Sequence, residues 1–201
     1  MGATDRLVFL GDYVDRGPDS AKVIEFLIRE SKNRNCVFLK GNHELMMLSA
    51  RHDLSYRWSW VQSGGDQTWD SYSREYGHEG LDGVPESHWD FLASGLPWFE
   101  TGTHVFVHAE IQSDLELAEQ PDYLLYWGSF DSIAPLNSRK IVVCGHTSQR
   151  DGIPRHNGHA ICIDTWDHGR GWLTCLDVSA GKYYQVNHHG ETRTAWLDPK
   201  T

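Results

Sequence analysis

Four short apolar runs in this sequence each lead directly into a polar cluster whose side chains can bind a metal ion. The junctions are LVFL into Gly11-Asp12, VFL through Lys40 into Gly41-Asn42-His43-Glu44, VFV into His108, and IVVC into Gly145-His146-Thr147. In α/β folds the carboxyl ends of the strands face one crevice, where ligands bind. Asp, Asn and His are ordinary turn residues, but turn formation alone does not explain four junctions that all offer oxygen or imidazole donors. The pattern therefore predicts a metal site.

The donor types at these junctions indicate which metals the site would hold. One carboxylate (Asp12), one amide oxygen (Asn42) and two imidazoles (His108 and His146) form a hard-to-borderline set. Such a set suits Mn, Fe or Zn better than it suits metals that require thiolates. We expect a divalent ion, with Mn as the first choice and Fe or Zn as alternatives. Sites of this kind activate water against phosphate esters.

The order of apolar runs and helical periodicities predicts an α/β fold. Strands are expected at 7–10, 36–39, 104–107, 141–144 and 160–164, with two more strands near the end joined by a glycine-containing turn and TRTAWL as a further candidate. Val23, Ile24, Leu27 and Ile28 share one face of a helix that Asp19 or Ser20 would cap. The aromatic-rich segment at about 53–100 is predicted to be a helical cap within a single domain, 1–201.

Composition and charge narrow the functional classes. The chain has 201 residues and a net charge of −10, so it lacks a broad basic surface for nucleic acid or an anionic membrane. An anionic substrate must therefore be held by local charge, such as a metal ion. No apolar run approaches the roughly 18 residues that span a bilayer. The four cysteines form no Cys-x-x-Cys pair and each lies in or beside an apolar run, which favours buried free thiols and a cytoplasmic location.

Four motifs together resemble those of the phosphoprotein phosphatase family of calcineurin-like metallophosphatases. They are GDYVDRG (11–17), GNHE (41–44), VHAE (107–110) and GHT (145–147), and they occur in the family's order. This family includes Ser/Thr protein phosphatases and symmetrical dinucleoside tetraphosphatases. The resemblance implies a metallophosphatase-type β-sandwich flanked by helices.

The resemblance also implies a role for each motif residue. Asp12 would bridge two metals, and the second metal would be completed by Asn42, His108 and His146. His43 would protonate the leaving oxygen and be oriented by Asp15. Arg16 would clamp the phosphate, with Asn42 as a further contact to substrate. Simpler alternatives are a surface ion pair for Asp15–Arg16 and a core histidine for His43. Glu44 is expected to be structural, a carboxylate at a helix start that the helix dipole favours.

The sequence departs from the family pattern in three places. No Asp-x-His occurs, although the family's GDxHG motif holds the first metal, so we expect one tight metal site and a weak or incomplete second one. We also expect the family's N-terminal strand and helix to be missing, which favours a homodimer or a rearranged first strand. Relatives usually place an Arg near the residue that corresponds to Trp127, where it acts as a second phosphate clamp. Here Gly128 and Ser129 follow Trp127, and Arg139, Arg150 or Arg155 could substitute for that Arg. Glu110 stands where many relatives have Gly.

The function that follows is a metal-dependent phosphomonoesterase acting on phosphorylated Ser or Thr, and on Tyr as a further substrate, by direct attack of metal-bound hydroxide. Its expected partner is a phosphorylated protein or peptide, with no nucleic acid and no membrane. One alternative is hydrolysis of dinucleoside polyphosphates; another is a non-catalytic phosphate-binding relative. The Trp-rich segment could stack a base or a phosphotyrosine, but a helical cap that packs its aromatic residues over the sheet is the favoured interpretation.

Overall fold

A computed structural model describes residues 5–78 and 80–198 of the chain. The chain forms two compact units, Met1–Pro97 and Trp98–Thr201, and each unit is described by itself. The single domain predicted for 1–201 includes residues 1–4, 79 and 199–201, which lie outside the described residues. That the whole chain acts as one domain stays a prediction.

The first unit begins with a parallel β-α-β arrangement. Strands β1 (Leu7–Phe9) and β2 (Cys36–Phe38) pair in parallel, and helix α1 (Ser20–Asn33) connects them. Ile24 and Leu27 are buried as the periodicity predicts, Ile28 is half-buried, and Val23 is exposed, against the prediction. The capping prediction is wrong in detail: Asp19 occupies the N-cap position without a side-chain bond to the helix backbone, and its carboxylate binds Lys22 instead.

The aromatic-rich segment is helical over most of its length. Helix α2 (Asn42–His52) precedes it. The segment contains α3 (Leu54–Trp60), a kink over Val61–Gly65, α4 (Asp66–Tyr76) and α5 (Glu86–Ser94). Helix α1 packs against α4 and α5, and α2 packs against α3 and α5. Trp60 and Trp89 are buried in this helical core, whereas Trp58 is 70% exposed. The predicted helical segment ends early, because 98–100 is a strand.

The second unit is built on a mixed five-stranded sheet and a three-stranded antiparallel sheet. The strands and the one α-helix in its described part are β3 (Trp98–Glu100), β4 (His104–Val107), α6 (Asp122–Trp127), β5 (Ile141–Cys144), β6 (Arg155–His156), β7 (Ala160–Cys162), β8 (Leu173–Asp177), β9 (Lys182–Val186) and β10 (Thr192–Trp196). The sheet orders are β3-β4-β5-β7-β6 and β10-β9-β8. Strands β4, β5 and β7 are parallel and almost wholly buried, as expected for a sheet covered on both faces.

These elements confirm the predicted mixed α/β fold class. The strands predicted at 104–107 and 141–144 have the observed bounds, and TRTAWL contributes β10. All four cysteines are free thiols. Cys144 and Cys162 are buried as predicted, whereas Cys36 is half-buried and Cys175 is exposed. Within the part of the chain that the structure describes, no helix is both long and apolar enough to cross a membrane.

Candidate active site

The loop that follows β1 has an unusual backbone. Asp12, Asp15 and Arg16 have φ angles of 57°, 76° and 61°, a left-handed conformation that non-glycine residues seldom adopt. Each such residue costs about 1–3 kcal/mol and persists only where the surroundings fix it, which happens most often at functional sites. Gly11 is required here, because a Cβ at this position would lie 2.4 Å from the backbone nitrogen of Gly41.

Glu44 joins this loop to the start of α2. Its side chain is fully buried. One carboxylate oxygen accepts hydrogen bonds from the backbone N–H groups of Asp12 (2.8 Å) and Gly41 (2.7 Å), and the other accepts one from Tyr13 (2.7 Å). The carboxylate also lies in the first turn of α2, where the helix dipole favours negative charge. This geometry agrees with the structural role predicted for Glu44.

Replacing Glu44 with Gln is expected to destabilise the fold by about 3 kcal/mol or more, because an amide NH₂ would face backbone N–H donors that now bind a carboxylate. Urea unfolding measures the change. The matched control is Glu86→Gln, whose carboxylate is 69% exposed and binds Arg51; it should cost about 1 kcal/mol at most. Equal losses in the two variants would contradict the role given to Glu44.

His43 and Asp15 form a buried pair within the first unit. Nδ1 of His43 lies 2.7 Å from Oδ2 of Asp15, and the two side chains are 3% and 0% exposed. Since the carboxylate accepts this bond, Nδ1 carries the proton, and Nε2 is the ring nitrogen that can exchange a proton with a substrate. Burial lowers the pKa of His43, but the hydrogen bond to Asp15 and the charges of Asp12 and Asp15 outweigh it and raise that pKa above its usual value.

The remaining predicted residues of the first unit lie around this pair. Asn42 is the buried first residue of α2, and the backbone N–H of His43 donates to Oδ1 of Asp12 at 3.2 Å. Arg16 is exposed, and its backbone N–H donates to the carbonyl of Gly64 at 2.9 Å. The first unit therefore brings the GDYVDRG and GNHE residues together at the ends of β1 and β2.

Two side chains that sequence reasoning missed complete the surroundings of Asp15. The indole Nε1–H of Trp60 lies 3.0 Å from both carboxylate oxygens of Asp15, and the hydroxyl of Thr68 donates to Oδ1 at 2.8 Å. The sequence WVQSGGDQT contains both residues, but no periodicity or motif indicates that they would reach a loop about fifty residues earlier.

In the second unit, His108 and His146 present ring nitrogens to each other. Nε2 of His108, which is 2% exposed, lies 3.3 Å from Nδ1 of His146. Two nitrogens that each lie about 2.1 Å from one divalent ion at an angle of 90–109° are about 3.0–3.4 Å apart. The pair therefore has a spacing that fits two ligands of one ion.

Backbone contacts hold both histidines in place. Gly145 donates to the carbonyl of His108 at 2.8 Å, and His146 has a left-handed φ of 61°. The hydroxyl of Thr147 accepts from the backbone of Phe130 at 3.0 Å. The GHT turn is thus fixed on both sides of the proposed ligand.

Two departures from the family pattern are physically linked. Oε2 of Glu110 accepts a hydrogen bond from the backbone of Ser129 at 2.8 Å. A Cβ at Gly128 would lie 2.3 Å from Cβ of Glu110, so a larger residue at 128 does not fit beside this glutamate. Of the arginines considered as substitutes, Arg155 binds Asp131 and Arg150 stacks on Trp166.

The fold is that of known phosphatases. A cold-active protein tyrosine phosphatase has a TM-score of 0.63 at 16% identity, with 94% of this chain and 67% of that chain covered. A putative diadenosine tetraphosphatase has a TM-score of 0.59 at 18% identity, with 96% of this chain and 80% of that one covered. At these identities the likeness defines the fold class alone.

The family follows from the sequence match. The model of the calcineurin-like phosphoesterases matches residues 2–169, which is most of the chain, so the chain belongs to this family. Membership implies a divalent metal, and the oxygen and imidazole donors present fit that requirement.

Curated relatives carry two different activities in their names. The chain is 36% identical over 111 residues to serine/threonine-protein phosphatase 1 of Salmonella typhimurium, covering 53% of this chain and 46% of that protein. It is 42% identical over 52 residues to a symmetrical bis(5'-nucleosyl)-tetraphosphatase of Pseudomonas putida, covering 26% of this chain and 17% of that protein. The matched segments span less than half of the length of these relatives.

Proposed function

We propose that this chain is a metal-dependent phosphomonoesterase that removes phosphate from phosphorylated Ser and Thr side chains, with phosphotyrosine as a further substrate. The observation that carries the proposal is the buried His43–Asp15 pair, with its 2.7 Å hydrogen bond. A scaffold protein has no need for a histidine held by a carboxylate beside a strained loop, whereas a phosphoesterase needs such a group to protonate the leaving oxygen.

The metal-holding residues in this proposal are Asp12, Asn42, His108 and His146. When bound, the divalent ion supplies Lewis-acid polarisation of phosphate and an activated water. We expect one tightly held ion, with Mn preferred, and a second ion held weakly, since no Asp-x-His occurs to complete its site.

The other residues act on the substrate directly. Arg16 offers a guanidinium from an exposed position and binds phosphate oxygens, which stabilises the charge that develops during transfer. Asn42 contributes an amide beside the same phosphate. Protonated His43 gives its Nε2 proton to the departing alkoxide or phenoxide and keeps its Nδ1 proton, whose hydrogen bond to Asp15 holds the ring in the orientation that this step needs.

Two features support a protein substrate. The GHT motif (145–147) is the form that protein phosphatases of the family carry, whereas the tetraphosphatases typically have a different residue after Gly-His. A curated relative is named a serine/threonine-protein phosphatase. A phosphorylated protein or peptide is therefore the proposed partner, in the cytoplasm and without a nucleic-acid or membrane partner.

A dinucleoside polyphosphate is the second candidate substrate. Tyr56 and Trp58 on α3 are 55% and 70% exposed and offer stacking surfaces for a nucleoside base. A relative named as a bis(5'-nucleosyl)-tetraphosphatase shares 42% identity over 52 residues.

Assays with Mn-loaded protein distinguish the candidates. Phosphoserine and phosphothreonine peptides, a phosphotyrosine peptide and a dinucleoside tetraphosphate are compared by kcat/KM. The proposal expects the phosphoserine or phosphothreonine peptide to exceed the dinucleoside tetraphosphate by roughly 10-fold or more. The reverse order would establish the nucleotide activity. Phosphate binding without turnover of any substrate would leave only a binding function.

A further inference from the structure

We propose that Trp60 and Thr68 are positioning residues for catalysis, which hold the Asp15 carboxylate and through it the ring of His43. The inference rests on the proposed function, because it assigns a role within the same proton transfer. It gives the aromatic-rich segment a task other than covering the sheet or stacking a substrate.

The hydrogen bonds around Asp15 fix its carboxylate from three directions. The carboxylate oxygens accept hydrogen bonds from the Nδ1–H of His43 at 2.7 Å, the Nε1–H of Trp60 at 3.0 Å and the hydroxyl of Thr68 at 2.8 Å. All four residues of this cluster, Asp15, His43, Trp60 and Thr68, are buried. A buried carboxylate with three donors has one favourable orientation, so the ring it binds has one as well.

The hydroxyl of Thr68 has its proton direction set by its partners. Its oxygen accepts the backbone N–H of Asp15 at 2.7 Å and lies 2.9 Å from the hydroxyl of Ser20. Because the N–H can only donate and the carboxylate accepts, the Thr68 proton points at Asp15, and Ser20 must donate to Thr68. Thr68 thus binds both the backbone and the side chain of Asp15.

The turn between Trp60 and Thr68 also supports the strained loop. Gly64 has φ 109°, and its carbonyl accepts the backbone N–H of Arg16 at 2.9 Å. A Cβ at Gly64 would lie 2.6 Å from Cγ of Arg16, and a Cβ at Gly65 would lie 2.4 Å from the Trp60 ring. Both glycines are therefore needed for the segment to approach Asp15 and Arg16.

The consequence is a specific kinetic signature. Loss of the Thr68 or Trp60 donor leaves Asp15 able to rotate, so Nε2 of His43 is less often aimed at the leaving oxygen. Proton delivery matters for a poor leaving group and little for a good one. The two variants should therefore lose activity on phenyl phosphate far more than on 2,4-dinitrophenyl phosphate.

The first test compares Thr68→Val, Thr68→Ser and Ser71→Ala. Ser71 is a matched control because its buried hydroxyl, on the same helix, binds the backbone of Ala21 at 3.0 Å and not Asp15. Thr68→Val should lower kcat for phenyl phosphate roughly 10-fold, with less than about a twofold change for the dinitrophenyl ester and in KM. Thr68→Ser should restore most of the loss, and Ser71→Ala should affect both esters equally.

The second test compares Trp60→Phe with Trp89→Phe. Both tryptophans are buried in the same helical core, but the Trp89 ring contacts Arg51 and not Asp15. Trp60→Phe should reproduce the leaving-group selectivity of Thr68→Val, whereas Trp89→Phe should not. If Trp60→Phe does not fold, the Thr68 series decides the proposal by itself.

A measurement on the metal-free protein separates this inference from the proposed function. The Nδ1 proton of His43 should give a downfield ring N–H signal in the NMR spectrum, as charge-assisted bonds do, and His43→Asn identifies it by its loss. Thr68→Val should shift or broaden the signal, and Ser71→Ala should not. An unchanged signal, or equal losses on both esters, would overturn the positioning role. Absence of all turnover in the unmodified chain would instead overturn the proposed function, while the NMR comparison would still decide the inference.

Discussion

His43→Asn is expected to lower turnover of a phosphoserine peptide roughly 100-fold or more, because it removes the group that protonates the leaving oxygen. Asn retains a polar side chain of similar reach, and the backbone N–H of His43 keeps its bond to Asp12. Metal content should therefore equal that of the unmodified protein. Steady-state kinetics with saturating Mn and elemental analysis of the same samples provide the two measurements.

The leaving group provides the internal control for this variant. An aryl phosphate with a good leaving group needs little protonation, so its loss should be much smaller than that of the peptide. A second control is His52→Asn, which changes an exposed histidine at the end of α2 and should leave kcat unchanged. Equal losses for good and poor leaving groups would remove the acid role from His43.

The sequence alone predicts the candidate site residues that come directly after strands. Asp12, Asn42, His108 and His146 each lie just after a short buried or half-buried strand, and an apolar run followed by a polar cluster is visible without any structure. Their residue types predict oxygen and imidazole coordination, which stays a prediction. The pairing of His43 with Asp15 needed the family resemblance, because the two residues are 28 positions apart.

Other features depend on tertiary contacts that no local pattern encodes. Trp60 is one of several tryptophans in 53–100, and only the fold separates it, buried against Asp15, from the exposed Trp58. Likewise, Asp19 lies at the N-cap position of α1, but its carboxylate binds Lys22 and not the helix backbone. The link between Glu110 and Gly128 was also hidden, because it arises from close packing of residues 18 positions apart.

The largest effect is expected for Asp12→Asn, which removes the only carboxylate from the proposed ligand set. An amide oxygen binds a divalent ion far less strongly than a carboxylate does, so metal content after dialysis should fall from about one equivalent to a small fraction of one. Turnover should fall by roughly 1,000-fold or more, since the activated water and the polarised phosphate are lost together.

The fold should tolerate this substitution. The backbone N–H of Asp12 binds Glu44 and is unaffected, and the Asn amide oxygen can still accept the backbone N–H of His43. Unfolding free energy should therefore change by only about 1 kcal/mol. Asp53→Asn is the matched control, because Asp53 caps α3 from an exposed position and Asn caps a helix equally well. It should change neither metal content nor turnover.

Elemental analysis of the dialysed proteins decides between the remaining outcomes. One equivalent in the unmodified chain and almost none in Asp12→Asn agrees with a single tight site that depends on this carboxylate. Two equivalents that survive dialysis would mean that Asp or His residues other than those named here complete a second site. Full metal content in Asp12→Asn would exclude Asp12 as a ligand. The turnover of that variant would then show how much of the chemistry His43, Asp15 and Arg16 support when the carboxylate of Asp12 is absent.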